Sequence, residues 1–325
     1  MGNSYTLMAL GVGRGGMRLV SGSGLAWTDI EGPVREEIAK LGKEYPFHPL
    51  NLDDCVSKRQ LPKVDEYEDH LFVLLQFPVY EEKSNLVRES QVCMFLGKDY
   101  VVTIHEKELQ SLGNIFKSCQ EDETRRSAYM KSTTALFYNV INTLVDDLFP
   151  VLKRVTSDLE EIEDRVFNPR QSVAVELSRQ RRVIADLRRM VAPLRRLFLD
   201  MTVDVQKYGS EDYSKYFSDV REHIEKTWAV LEESKETIEI YKDTDYVLST
   251  ESTNKVLAVL TIIFTLTIPA TVVGAIYGMN VPLPGGTMSG PLTFFGPFTS
   301  FILLLLLAFV PAIIMVLYFR NKTWL

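Results

Sequence analysis

Between Val256 and Phe319 the chain contains no Asp, Glu, Lys, Arg or His, although the full 325-residue sequence carries 43 acidic and 36 basic side chains. That absence excludes a single globular body with an evenly wetted surface. It leaves one polar part followed by one part suited to lipid. Cysteine is nearly as scarce: Cys55, Cys93 and Cys119 are the whole supply and no C-x-x-C occurs, which argues against a disulfide framework or a structural zinc site and fits a reducing compartment. The four histidines, His48, His70, His105 and His223, stand apart without H-x-x-x-H or His/Cys pairing, so a catalytic metal centre within one chain has little support. No G-x-S-x-G or other nucleophile signature is present. The opening MGNSYTLMALGVGRGG lacks the long apolar core and cleavage site of an export signal, and the large polar domain is expected to stay in the cytoplasm.

The uncharged tail divides into Val256–Tyr277 and roughly Phe298–Phe319, each 22 residues long. At ~1.5 Å per residue each reaches roughly 33 Å, enough for a hydrocarbon core of ~30 Å, so two transmembrane helices are expected. A buried soluble hairpin is the alternative, but soluble helices of this length keep a polar face. Lys255 precedes the first span, Arg320 and Lys322 follow the second, and the connection Val281–Pro297 is uncharged. Both ends of the tail should therefore lie on the cytoplasmic side.

Residues 1–125 mix strand-like runs, such as HLFVLLQFPVY and QVCMFLGKDYVVTIHE, with the helix-like EGPVREEIAKLGKEY, and read as an α/β domain. From 126 to 253 apolar residues recur three and four apart, as in FYNVINTLVDDLFPVLKRVTSDLEEIEDRVF and VAVELSRQRRVIADLRRMVAPLRRLFL, predicting long packed helices. With the tail at 254–325, the expected class is α+β with a membrane part. Phe217, Ile224, Leu231 and Ile238 repeat every seven residues, Val220, Tyr241 and Leu248 sit at complementary positions, and neither Pro nor Gly occurs between Glu211 and Pro269. One helix should run from the polar part into the tail. There Asn254, Thr261, Ile268 and Ala275 keep heptad spacing with Leu257, Phe264 and Thr271 interleaved, a stripe that faces either a pore or a neighbouring helix.

Two patterns invite over-reading. Gly11, Gly13 and Gly16 have G-x-G-x-x-G spacing, but a dinucleotide loop must open a helix, and MRLVSGSGLAW is too short and too rich in Gly and Ser to be one. A flexible turn is expected instead. Between Glu211 and Glu251 twelve acidic residues outnumber five basic ones. On one chain this is a solvated helix face; around an axis shared by several copies it would steer cations toward a membrane entrance.

The run TNKVLAVLTIIFTLTIPATVVGAIYGMN, the terminal YFRNKTWL, and FHPLNLDDC, RQLPKVDEYEDHLFVLL, VDDLFPVL and YFSDVREH together resemble the CorA family of divalent cation channels from about residue 45 onward. The resemblance implies a homopentamer in the inner membrane, multi-pass, with both termini cytoplasmic. Its parts would be a cytoplasmic α/β domain, a funnel of long stalk helices, and first transmembrane helices around one pore. Tyr277, Gly278, Met279 and Asn280 would form the selectivity filter, where a ring of Asn280 amides holds Mg2+ through its tightly bound water. Gly278 would permit a close turn, and Met279 and Tyr277 would pack to hold the amide.

Asn254 matches the family's second polar pore position, with a capping or interhelical amide as its alternative. Leu257, Leu260, Thr261, Phe264, Ile268 and Thr271 would line the path between the two Asn rings, its apolar part gating by dewetting. Asp53, Asp54 and Asp219 would hold a regulatory cation between protomers, and Asp243 would line the funnel. Mg2+ is the implied ion, transported and regulatory, with Co2+, Ni2+ or Zn2+ as further candidates. Partners would be other copies of the chain, lipid and divalent cations, with no nucleic acid and no catalytic step.

The sequence departs from the family's pattern twice. Asn142 stands where well-matched members carry an acidic residue beside the sensor pair. After Asn280 the loop VPLPGGTMSGPLTFFG is uncharged, offering only Thr287, Ser289 and carbonyl oxygens, and is somewhat closer to the zinc-transporting branch. A zinc transporter of the same fold and a non-conducting, membrane-anchored cation sensor are therefore the alternatives.

Overall fold

The computed structural model describes residues 16–57, 60–82, 84–168, 171–207, 211–280, 283, 296 and 298–321. The chain divides into two compact units, residues 1–168 with 173–242, and residues 169–172 with 243–325.

In the first unit β1 (Gly16–Gly22) and β2 (Leu25–Glu31) form a hairpin, followed by α1 (Arg35–Glu44) and α2 (Pro49–Asp54). The hairpin turns through Ser23 at φ 52° and Gly24 at φ 80°, the left-handed pair that a two-residue turn between twisted strands requires. Strand β3 (Lys63–Glu66), β4 (Leu71–Glu81), β5 (Leu86–Leu96) and β6 (Tyr100–His105) complete a six-stranded sheet of order β1-β2-β6-β5-β4-β3. All neighbours are antiparallel except β2 and β6. Gly16 therefore opens a strand rather than lying in the expected turn, and no helix follows it; Gly11 and Gly13 lie outside the described residues.

Strand β4 illustrates why sequence and position agree. Leu71, Val73, Leu75 and Phe77 point to one core and Phe72 and Leu74 to another, so both faces are buried and the strand reads as an unbroken apolar run. Pro78 is tolerated because β3 pairs only with Leu71–Leu74, leaving the other edge of β4 without a neighbouring strand at Pro78. On one face, Ile38 and Leu41 of α1 and Phe47 meet Phe72, Phe95 and Val102. The opposite face is covered by α3 (Gln110–Glu121), α4 (Glu123–Tyr129), α5 (Thr133–Asp146), α6 (Leu148–Val166), α7 (Ala174–Gln206) and the first part of α8 (Ser214–Tyr277).

The stretch from Phe137 to Phe167, expected to be helical and packed, is so, and breaks at Asp147 into α5 and α6. Pro150 has no N–H to donate to the Asp146 carbonyl and lies in the first turn of α6, where a helix needs no such bond.

A buried charge cluster ties β1, β2 and β6 together. Asp29, with its side chain fully buried, accepts from Arg18 Nη2 at 2.5 Å and from Thr103 Oγ1 at 2.5 Å, and lies 3.3 Å from His105 Nε2. The other His105 nitrogen, Nδ1, faces the Glu106 carbonyl at 2.8 Å. Oxygens near both ring nitrogens, one of them the Asp29 carboxylate, favour the imidazolium form. Burial acts to lower the His105 pKa, but the hydrogen bond and charge of Asp29 outweigh it, and the net shift is upward. For Asp29 burial acts to raise the pKa, and His105, Thr103 and Arg18 together bring it below the ordinary value.

The second unit contains α8 from Asp243 onward and α9 (Thr299–Asn321). Among the described residues three helical stretches are long and apolar enough to cross a membrane: Thr133–Val166, Ser214–Tyr277 and Thr299–Asn321. The most apolar window of the first is 56% buried inside the protein, because α5 supplies core, whereas the corresponding windows of the other two are 0% and 11% buried. Long, uncovered, charge-free helix surface is what a lipid environment or other copies of the chain would cover.

Candidate functional site

Helix α8 presents different chemistry on its different sides. In the first unit Phe217, Val220, Ile224, Thr227, Leu231, Ser234, Ile238 and Tyr241 are buried, alternating three and four apart. The heptad stripe expected from the sequence is this core face, except that Leu248 is only half-buried. Two positions further on, about 200° around the helix, Asp219, Glu222, Glu233 and Glu236 are exposed. The abundance of acid on α8 is thus largely a solvent-side feature, with the core side almost free of it.

In the second unit the candidate pore residues Asn254, Leu257, Leu260, Thr261, Phe264, Ile268 and Thr271 are all exposed in the single chain, as is Asp243. The threonines do not present their hydroxyl hydrogens outward. Thr261 donates to the Leu257 carbonyl at 2.8 Å, Thr265 to Thr261 at 2.7 Å, Thr267 to Ile263 at 2.9 Å and Thr271 to Thr267 at 2.9 Å. Each hydroxyl is satisfied by its own helix, which makes the polar residue inexpensive in an apolar setting and leaves the oxygen lone pairs as its outward chemistry.

At the end of α8 the Gly278 N–H closes the last turn on the Gly274 carbonyl at 2.9 Å. A Cβ built at Gly278 would meet that same carbonyl oxygen at 3.0 Å, so a side chain here would require the turn to give by a few tenths of an ångström. Met279 is 58% exposed in the single chain, so the packing expected to steady Asn280 requires groups from outside it. Asn280 is exposed immediately after the turn. Thr287 and Ser289, and the rest of the loop apart from Leu283 and Gly296, lie outside the described residues.

The expected regulatory carboxylates occupy two places. Asp53 is exposed on α2, and Asp54 is bonded to Lys63 Nζ at 2.8 Å. The same ammonium reaches Asp65 Oδ2 at 2.7 Å and donates to Asn51 Oδ1 at 3.3 Å. Burial acts to lower the Lys63 pKa, but Asp54 and Asp65 outweigh it and raise it. Asp219 lies on α8 beside His223, 3.9 Å from Nε2, and His223 Nδ1 is 3.6 Å from Asp146 Oδ1. Asn142 donates to Asp146 Oδ2 at 3.0 Å, so the residue that departs from the family pattern orients a carboxylate of this corner.

Tyr138 senses the negative field there: burial first, then Asp219 and Asp146, raise its phenol pKa. Sequence reading missed Lys63 as the partner of Asp54 and His223 with Asp146 as neighbours of Asp219. The spacing of Asp219 and His223, one helical turn apart, was a signal for the second; nothing local marked the first, because it depends on strand β3 returning past α2. Among the described residues no three His, Cys, Asp or Glu side chains are close enough to hold a metal ion.

This arrangement has counterparts among known proteins. The chain is 28% identical over 306 residues to the cobalt/magnesium transport protein CorA of Thermotoga maritima, covering 92% of this chain and 83% of that one. It is 28% identical over 256 residues to a putative metal ion transporter of Bacillus subtilis, covering 78% of each. The complete structure of the CorA magnesium transporter from Methanocaldococcus jannaschii superposes with a TM-score of 0.76 at 20% identity, over 93% of this chain and 92% of that one, which is a likeness of fold. The family described as CorA-like Mg2+ transporter protein matches residues 22–321, nearly the whole chain including both apolar helices, and the chain belongs to that family.

Proposed function

We propose that the chain assembles as a homopentamer in the inner membrane, with both termini cytoplasmic, and conducts hydrated divalent cations, Mg2+ first and Co2+ or Ni2+ as companions. Two membrane spans, α8 from about Val256 and α9, anchor it, and the α8 helices surround the pore. The observation that carries this reading is the outward stripe of α8. In heptad steps from Asp219 it passes Glu233, Glu236 and Asp243 and arrives at Asn254, Leu257, Thr261, Phe264, Ile268 and Thr271. A stripe facing lipid would have no use for the carboxylates, and one facing bulk water none for the phenylalanine. A stripe facing an axis shared by five copies uses both, collecting cations at the wide end and excluding unbound water at the narrow one.

Asn280 closes the path with an uncharged amide. Mg2+ gives up its water reluctantly, so an amide oxygen that hydrogen-bonds the hydration shell selects without the deep well that carboxylates would create. Mg2+ uptake into liposomes holding the intact chain tests this reading. Uptake that rises with the Mg2+ gradient and needs no energy source is expected. No uptake would favour the non-conducting sensor. The uncharged loop after Asn280 favours one further reading, zinc transport, and Zn2+ uptake exceeding Mg2+ uptake, with or without a pH gradient, would select it.

Regulation follows from the carboxylates. Asp53 or Asp54 of one copy facing Asp219 of the next would repel until a cation bridged them, so intracellular Mg2+ would favour the closed assembly. The Asp54–Lys63 pair tempers the charge of Asp54 until a cation competes with the ammonium, and Asp53 stands exposed beside it. Replacing both Asp54 and Asp219 by Ala is expected to raise the internal Mg2+ concentration needed for half-inhibition at least about fivefold, the lower range of coupling between sites. Inhibition unchanged in the double variant would remove these residues from the sensor.

A further inference from the structure

Three arginines of α7 and three glutamates of α8 form a ladder with a strict register. Arg181 Nε lies 3.1 Å from Glu239 Oε1. Arg188 reaches Glu232 Oε1 through Nε at 3.0 Å and Nη2 at 2.6 Å. Arg195 grips Glu225 with a two-pronged contact, Nε to Oε1 at 3.0 Å and Nη2 to Oε2 at 2.7 Å. Each step of seven residues up α7 is matched by a step of seven down α8. Trp228 sits between two rungs, its ring 5.2 Å from the Arg188 guanidinium carbon and 4.8 Å from that of Arg195.

The position of this ladder on α8 gives it meaning. Glu225, Glu232 and Glu239 each follow a buried core residue, Ile224, Leu231 or Ile238, by one position, about 100° around the helix. They occupy neither the core face nor the outward stripe. An apolar core face resists being turned out to water but tolerates small slides and rolls, since one aliphatic contact replaces another at little cost. A charged fork does not: rolling α8 by one residue would move all three glutamates about 100° away from their guanidinium groups at once.

We propose that the ladder is a positioning device, locking α8 in rotation and in register against α7 so that Asp219, Glu222, Glu233 and Glu236 are held together on the outward side of this unit. Arg181, Arg188, Arg195 and Trp228 are positioning residues in this scheme, acting through α8 and touching no ion. The proposal rests on the reading of the outward stripe as the ion path.

The test uses the middle rung, the most shielded of the three, with Arg188 and Glu232 side chains 28% and 33% exposed. Arg188→Glu, Glu232→Arg and the double exchange are compared in the full chain by amide hydrogen exchange and by half-inhibition of Mg2+ uptake by internal Mg2+. Each single reversal is expected to speed exchange across residues 225–239 at least about tenfold, as local opening becomes easier. Each should also shift half-inhibition at least about threefold, and the double exchange should bring both readings back to within about twofold of the unaltered chain. Arg188→Gln, which removes the charge without repulsion, is read in the same way if a reversal does not fold.

Single reversals that speed exchange yet leave half-inhibition unchanged would overturn the proposal, leaving the ladder an ordinary stabilising feature. A double exchange that fails to restore either reading would overturn it as well. Absence of uptake by the unaltered chain would sink the transport reading and with it the ladder's bearing on the ion path; exchange then judges the register lock by itself, which singles fast and the double exchange slow support and all variants at the unaltered rate overturn.

Discussion

Asn280→Ala is expected to lower Mg2+ uptake into liposomes by at least about tenfold, with the assembled particle otherwise intact, a loss equivalent to about 1.4 kcal/mol. The argument is one of multiplicity. A single hydrogen bond contributes a net of about 0.5–1.5 kcal/mol. In the proposed ring of five, one substitution removes five amides from the ion's water shell, so even poor individual contacts suffice for a tenfold effect. Alanine leaves the end of α8 undisturbed, because the turn is made by the Gly278 N–H and the Gly274 carbonyl, not by the Asn280 side chain. Asn280→Asp should behave differently, holding Mg2+ more tightly and releasing it more slowly, so uptake saturates at lower concentration. Wild-type uptake by the alanine variant would exclude Asn280 from the filter.

The largest stability effect is expected in the cytoplasmic body. Asp29→Ala should destabilise the chain by about 3–5 kcal/mol, because it strands the buried His105 and leaves Arg18 only its more distant carboxylate, Glu31 at 3.4 Å. The Asp29 and His105 side chains are 0% and 1% exposed, so water cannot take the place of the missing partner without opening the sheet. For a unit of this size that corresponds to roughly 10 °C in melting temperature, measurable by thermal denaturation of the detergent-solubilised protein. Trp27 donates to Thr103 Oγ1 at 3.0 Å and is a local optical probe of the same cluster.

The pH dependence gives the cluster a second signature. The folded His105 pKa is raised above 6.5, so its stabilisation is fully present below that value and is lost as pH climbs through the raised folded value. The folded Asp29 pKa is lowered below 3.8, so its stabilisation is present above 3.8 and is lost as pH falls through the lowered value. Between these limits both contributions are complete. Stability should therefore decline on the alkaline side in the unaltered chain, and that decline should vanish in Asp29→Ala, where His105 no longer gains from being charged. A decline of equal size in both would show that another group titrates.

Much of this protein is legible before folding is considered. The two uncharged runs of the tail become helices that end within two residues of their predicted limits where the described residues allow comparison. The heptad from Phe217 to Tyr241 becomes the buried face of α8 because spacing of three and four residues can lie on only one side of a helix. The spacing over 126–253 likewise predicts packed helix, and Thr133–Val166, though apolar enough for a membrane, is 56% buried in its most apolar window. Local rules misled where a neighbour in space decided the outcome. Gly16 belongs to a strand because β2 turns back on it, a partnership that its glycine neighbours do not announce.

The candidate site divides along the same line. Asn254 and the stripe through Thr271 lie on successive turns of one helix, so period marks them, whereas Asn280 follows the helix end and is marked by the resemblance of YGMN to the family. The partners of Asp54, Asp29 and Glu232 are different in kind: Lys63, His105 and Arg188 stand 9, 76 and 44 residues away along the chain. Sequence by itself determined which segments are apolar and which side of α8 is acidic, because these depend on near neighbours and a helical repeat. Only the tertiary structure decided which charges are neutralised and which stay exposed, because a charge pair forms wherever folding brings two side chains within about 4 Å, whatever their separation along the chain.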